Sequence, residues 1–183
     1  MTTVKMAIPR DFILGAAASA WQTEGWSGKQ EGQDSWPDLW YKNDRHVWHN
    51  GYGPAVATDF INRFREDVQL MKLAGLTHYR TSINWSRFLT DYENVTVDEA
   101  YATYYDQLFD ELLANGIEPM INLYHFDMPE ALQKQYGGFE SAHVTDLFAR
   151  FARTAFELFG HKVKYWMTFN EPIVPVEGGY LYD

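Results

Sequence analysis

The aromatic run Lys164-Tyr165-Trp166-Met167-Thr168-Phe169 passes directly into Asn170-Glu171-Pro172. Such a run reads as a buried strand with a carboxylate at its C-terminal tip, the position where (β/α) barrels hold their reactive groups. Glu171 is the candidate general acid/base. At a water-poor strand tip, desolvation favours its neutral form, so it could protonate a leaving oxygen and later deprotonate water. A plainer alternative stays open, in which Glu171 complements a helix dipole ahead of Pro172 at the first helical position. Cleavage of a glycosidic bond uses two carboxyl groups, and these 183 residues offer one strong candidate for such a pair.

The ends of the other apolar runs supply the rest of a sugar-binding inventory. The first run leads to Trp21, Gln22 and Glu24; the second carries Arg80 and is followed by Asn84, Trp85 and Arg87; the third ends in Asn122, Tyr124, His125, Phe126 and Asp127; the fourth in Asn170 and Glu171. If the strands are parallel neighbours, all of these converge on one rim, where amides, imidazole and guanidinium bond hydroxyls and an indole stacks on a pyranose. Arg80 calls for an anionic partner, and Glu171 is the one carboxylate suggested at a matching strand end. His125 equally suits a satisfied histidine at a strand end.

The elements that must position these groups alternate. Strand-length runs lie at Phe12–Ala16, Thr77–Ser82, Ile117–Leu123 and Val163–Phe169, with amphipathic helices between them. One helix starts at Thr58-Asp59 and carries Phe60, Phe64, Val68 and Met71; the next opens at Asp98 with Tyr101, Tyr104, Leu108 and Leu112; the third carries Val144, Phe148, Phe151, Ala155 and Phe159. Gly75, Gly116 and Gly160 stop them. This alternation predicts a parallel sheet with right-handed crossovers. A doubly wound sheet fits it equally, but polar strand ends without a Gly-rich phosphate loop favour a barrel. The stretch Ser27–Pro54 reads as a long loop shaping the mouth of a cleft. The whole is one domain over residues 1–183.

Composition narrows the partners. A net charge of −10 argues against nucleic acid, since phosphate neutralisation needs clustered Lys and Arg. Cysteine is absent, which excludes disulfides and thiolate chemistry. No apolar stretch reaches transmembrane length and the N-terminus lacks a signal-peptide core, so a soluble, cytoplasmic protein is expected. His46 and His49 stand three apart but in loop-like sequence, a weak metal signal. Asn84-Trp85-Ser86 and Asn94-Val95-Thr96 match the glycosylation pattern without a secretory context to support it.

Four segments carry a family resemblance. Phe12-Ile13-Leu14-Gly15-Ala16-Ala17-Ala18-Ser19-Ala20-Trp21-Gln22-Thr23-Glu24-Gly25, Tyr79-Arg80-Thr81-Ser82-Ile83-Asn84-Trp85-Ser86-Arg87, Tyr124-His125-Phe126-Asp127-Met128-Pro129 and Thr168-Phe169-Asn170-Glu171-Pro172 resemble, in order, motifs of the family 1 β-glycosidases. The resemblance implies the N-terminal half of a (β/α)8 TIM barrel, four parallel strands with outer helices, retaining chemistry on β-glycosides, and no metal or organic cofactor. It implies Glu171 as acid/base, Asn170 on the sugar 2-hydroxyl, Gln22 and His125 on the hydroxyls at the far side of the ring, and Arg80 beside the nucleophile. Phe126 stands where the family usually has tryptophan, which is similar to the branch that hydrolyses 6-phospho-β-glucosides. The family's nucleophile motif, on a seventh strand, is absent from this sequence. The chain is therefore expected to carry the acid/base half of a site and to be inactive alone. The alternative is a non-catalytic half-barrel that binds sugar or pairs with a second copy.

Overall fold

The computed structural model describes residues 7, 9 and 11–181. In chain order, the first elements are β1 (Gly15–Ala17), α1 (Ala20–Thr23), α2 (Trp36–Asn43), α3 (Phe60–Leu73), β2 (His78–Ser82) and α4 (Trp85–Phe88). There follow β3 (Leu89–Asp91), β4 (Thr96–Val97), α5 (Glu99–Ala114), β5 (Glu118–Tyr124), α6 (Glu130–Tyr136), α7 (Ala142–Phe159), β6 (Tyr165–Phe169) and α8 (Ile173–Val176). Strands β1, β2, β5 and β6 form one sheet in that spatial order, and every pairing is parallel. Ala17 lies opposite Arg80, Ser82 opposite Asn122, and Tyr124 opposite Phe169, so the polar strand ends rise on one side of the sheet.

The helices form where their start signals say they should. Asp98 caps α5 by accepting from the Ala100 and Tyr101 amides, each at 3.1 Å. Gly75 and Gly116 end α3 and α5 in the left-handed region, at φ 76° and 73°. Gly160 ends α7 differently: its backbone stays right-handed, and a Cβ there would meet the Phe156 carbonyl at 2.5 Å. Phe64 and Val68 from α3, Leu108 and Leu112 from α5, and Phe151 and Phe159 from α7 are buried against the sheet, with Trp85 and Phe88 of α4 in the same core. Trp85 stacks on Phe151 at 5.6 Å between ring centroids.

Three expectations need correction. Ser27–Pro54 is not all loop, because α2 forms inside it. Ser35 and Asp38 make a capping box with Pro37 in the first turn, the very signature a Ser-x-x-Asp sequence offers. β1 is shorter than Phe12–Ala16; only Gly15–Ala17 pair, and Phe12, Ile13 and Leu14 are exposed. β6 is not a buried strand. With a single neighbour it forms an open edge of the sheet, as β1 does at the other end, and its Tyr165 is exposed. The short β3–β4 hairpin and α6 were also not anticipated from periodicity. Among the described residues no helix is long and apolar enough to cross a membrane.

Asp98 does more than cap α5. Its Oδ2 also accepts from the side-chain amides of Gln30 and Gln33, at 2.8 and 2.9 Å, tying the 27–35 segment to the helix. Asp98→Ala is expected to cost about 2 kcal/mol, from the lost cap and the stranded amides. A chemical-denaturation midpoint unchanged from the parent would refute this.

Candidate active site

Arg80 is the hub of the rim. Its Nη2 donates to Asn122 Oδ1 at 3.2 Å and to Asn170 Oδ1 at 2.6 Å, linking β2 and β5 to the residue that follows β6. Asn122 Nδ2 in turn donates to the Tyr124 carbonyl at 2.6 Å, and the Asn170 amide donates to the same carbonyl at 2.9 Å. Both asparagine side chains are thereby oriented. None of the ion pairs among the described residues includes Arg80. Burial lowers its pKa from the ordinary value, and the charge of Glu171 pulls the other way. A guanidinium held only by neutral amides has charge left to offer an anion.

Glu171 follows Asn170 at φ 42°, in the left-handed region that a non-glycine residue rarely occupies. Its carbonyl accepts from Val174, and Pro172 is the N-cap of α8 and not its first helical residue. The expected water-poor setting is not met: Glu171 is exposed, because β6 lies at the sheet's open edge.

His125 is 5% exposed at the end of β5, and its ring Nδ1 has no hydrogen-bond partner. Burial, then the nearby Arg80 charge, pushes its pKa down to about 4, so near neutral pH the ring is an uncharged donor and acceptor. Gln22 is exposed after β1, and its Oε1 accepts from the Ser19 hydroxyl at 2.7 Å, which fixes which way its amide faces. Gln22, His125, Asn170 and Glu171 thus all stand just beyond the C-terminal ends of parallel strands, while Arg80 lies in the middle of β2 and reaches Asn170 with its side chain.

The other residues expected at the rim lie behind it. Glu24 is 2% exposed, accepts from the hydroxyls of Tyr101 and Tyr105, and has its pKa raised by burial despite Arg87. Arg87 donates to the carbonyls of Gly25 and Ser27 and packs over the Tyr101 ring. Trp85 is wholly within the core, and the Asn84 side chain is buried and accepts from Ser86. These groups support the rim through a buried network with neutral and charged partners. Trp21 braces it as well, its indole N–H donating to the His125 carbonyl at 2.8 Å.

The stretch expected to shape the mouth of a cleft does line a groove, but as a helix and not as a loop. Trp36, Leu39 and Trp40 of α2 face Trp21, Phe126, Val174 and Pro175 across a groove of about 710 Å³. The clustering of tryptophans between positions 36 and 48 was its only local signal. His46 and His49 lie in exposed single-turn helices, and among the described residues no group of three or more His, Cys, Asp or Glu is placed to hold a metal ion.

Parallel strands that carry amides, a neutral imidazole, a guanidinium in no ion pair among the described residues and a carboxyl toward one side match the way (β/α) barrels array polar groups. The family model for glycosyl hydrolase family 1 matches residues 4–183, and the chain belongs to that family. It is 47% identical over 182 residues to 6-phospho-beta-glucosidase GmuD of Bacillus subtilis (strain 168), covering 99% of this chain and 38% of that protein. Among solved structures it superimposes on the psychrophilic beta-glucosidase BglU from Micrococcus antarcticus with a TM-score of 0.86 and 38% identity, over 96% of this chain and 36% of that one. An aphid myrosinase superimposes with a TM-score of 0.88 and 32% identity, over 95% and 37%. The chain therefore spans less than two fifths of the length of these proteins, and its four-stranded sheet matches the N-terminal part of their barrels.

The depressed His125 pKa has a signed consequence. A histidine with a folded value near 4 and an unfolded value near 6.5 binds more proton when unfolded, so stability falls as pH drops through that window. His125→Gln is expected to remove a pH dependence on the order of 3 kcal/mol between pH 6.5 and 4. Unfolding curves of parent and variant that fall in parallel over this range would contradict it.

Proposed function

We propose that these residues form the acid/base half of a retaining β-glycosidase. The observation that carries the reading is the Arg80 guanidinium, bonded to Asn122 and to Asn170, the residue before Glu171, and in no ion pair among the described residues. A retaining mechanism sets two carboxyl groups about 5–5.5 Å apart. Glu171 protonates the departing oxygen, and then deprotonates the water that releases the sugar. The nucleophilic carboxylate comes from sequence outside these 183 residues and is kept ionised beside Arg80. Asn170 binds the 2-hydroxyl, and Gln22 and the neutral His125 hold hydroxyls on the far side of the ring. The tryptophan-lined groove beyond Glu171 takes the leaving aglycone. Closure of the site by the remaining half supplies the dry surroundings that Glu171 lacks here. No metal or organic cofactor enters this chemistry.

The finer reading is a preference for 6-phospho-β-glucosides. Phe126 in place of the tryptophan usual after the histidine supports it, together with the 47% identity to GmuD. Glucoside and 6-phosphoglucoside are told apart by binding. In calorimetric titrations of the chain, 4-nitrophenyl β-glucoside 6-phosphate is expected to bind more tightly than the unphosphorylated glucoside. Asn170→Ala should weaken both by about tenfold, through loss of a hydroxyl contact and of Arg80's anchor. Absence of saturable binding by either glycoside would overturn the sugar-site reading.

Turnover tests the two-part site. Single-turnover assays of the chain with the same two glycosides are expected to release no nitrophenol above background. Robust release would sink the proposal that the nucleophile lies elsewhere.

A second reading, a non-catalytic half-barrel that self-associates, is favoured by the open edges at β1 and β6, where Phe12, Ile13, Leu14 and Tyr165 are exposed. Two copies joined edge to edge would hold two acid/base groups and no nucleophile. Light scattering that shows a monodisperse dimer supports this second reading, and a monomer refutes it.

A further inference from the structure

Asp127 is 1% exposed, and none of the ion pairs among the described residues includes it. Its two oxygens are taken instead by backbone N–H groups. Oδ1 accepts from His125 at 2.8 Å, and Oδ2 accepts from Trp85 at 2.6 Å, joining the end of β5 to the start of α4. The residue between His125 and Asp127 is Phe126, held at φ 66°, a left-handed conformation uncommon for an aromatic side chain. From the opposite side, the Trp21 indole N–H holds the His125 carbonyl. The His125 backbone is therefore bonded at both its N–H and its C=O, while its buried ring nitrogen Nδ1 is bonded to nothing.

Buried polar atoms are normally satisfied, and strained backbone persists only where its surroundings over-determine it. Both departures occur within two residues here, around one imidazole. A ring whose main chain is fixed at both ends, and whose buried nitrogen has no bond of its own among the described residues, takes its orientation from that backbone. We propose that Asp127 is a positioning residue for His125: its carboxyl oxygens, together with the Trp21 indole, clamp the His125 backbone and aim the imidazole at a sugar hydroxyl. This rests on the sugar-binding reading of the cleft. Burial pushes the Asp127 carboxyl up to about 7, against the pull of the two N–H donors, so this group is maintained at a cost that a surface-facing side chain in the same turn would avoid.

A purely architectural role makes a different prediction. Asp127 would then only fasten α4 to the turn, and its loss would lower stability without moving the ring. Asp127→Asn keeps the shape and one acceptor oxygen but sets an amide N–H against a backbone N–H. Trp21→Phe keeps an aromatic ring and removes only the indole donor. The readout is the titration of the His125 imidazole, followed by nitrogen NMR in the 183-residue chain, beside the thermal midpoint.

In the parent, His125 is expected to titrate at about 4. In Asp127→Asn the ring leaves its niche, and the midpoint rises by about one unit or more, a tenfold change in its protonation equilibrium. Trp21→Phe should shift it in the same direction by less. A folded Asp127→Asn with a lowered thermal midpoint and His125 still titrating near 4 overturns the proposal. If Asp127→Asn does not fold, Trp21→Phe decides it, and an unmoved midpoint there overturns it equally. No glycoside takes part in the measurement, so a failure of the sugar-binding reading registers separately, in the calorimetric titrations.

Discussion

A guanidinium on β2, tied to β5 and to the residue after β6, is the constraint on which this site turns. Arg80 lies on β2, yet its two acceptors lie on β5 and just past β6, so the relative register of the strands sets its position. A one-residue slip of either pairing would carry an asparagine to the opposite face of the sheet. The hydrophobic core behind the sheet resists such a slip, because Ile121 and Leu123 must stay buried beneath α5 and α7. Packing on one side of the strands therefore locates a cation on the other. That the acceptors are amides and not carboxylates leaves the cation's charge unspent.

Behind this hub lies a second polar layer that never reaches the cleft. Glu24, its tyrosine partners and Arg87 cross-link the segment after β1 to α5, and Asp98 binds the same segment through Gln30 and Gln33. Buried charges of this kind are tolerated because each is hydrogen-bonded or faces an opposite charge. They make the residues after β1 part of a rigid body instead of a flap. Trp21 and Gln22 inherit their placement from that body, whereas Trp36 is tied to the turn after β5 by the bond from its amide to the Met128 carbonyl.

How much of this was legible in the sequence differs by residue. The parallel order of the strands and the helix caps at Asp98 and Gly116 could be read locally, because periodicity and capping are local signals. Gln22, His125, Asn170 and Glu171 were legible as residues following strands and Arg80 as a residue on one, and the structure puts each at that place along the chain. Glu24, Asn84, Trp85 and Arg87 were misplaced on the rim for a physical reason: they lie in the turns just past the strand ends, where one further turn of backbone directs a side chain back into the core. Burial in these turns depends on α5 and α7, which are distant in sequence. The exposure of Glu171 was equally hidden, since a strand's apolar composition does not say whether one neighbour or two will pair with it.

The left-handed backbone at Glu171 sets fold and chemistry against each other. Glycine would occupy φ 42° with the least conformational penalty, and a β-branched residue with the most. Drift toward a more relaxed chain therefore runs toward the loss of the carboxyl group. A relative of this protein that kept the architecture but lost the carboxyl side chain here would be expected to gain robustness in the exchange.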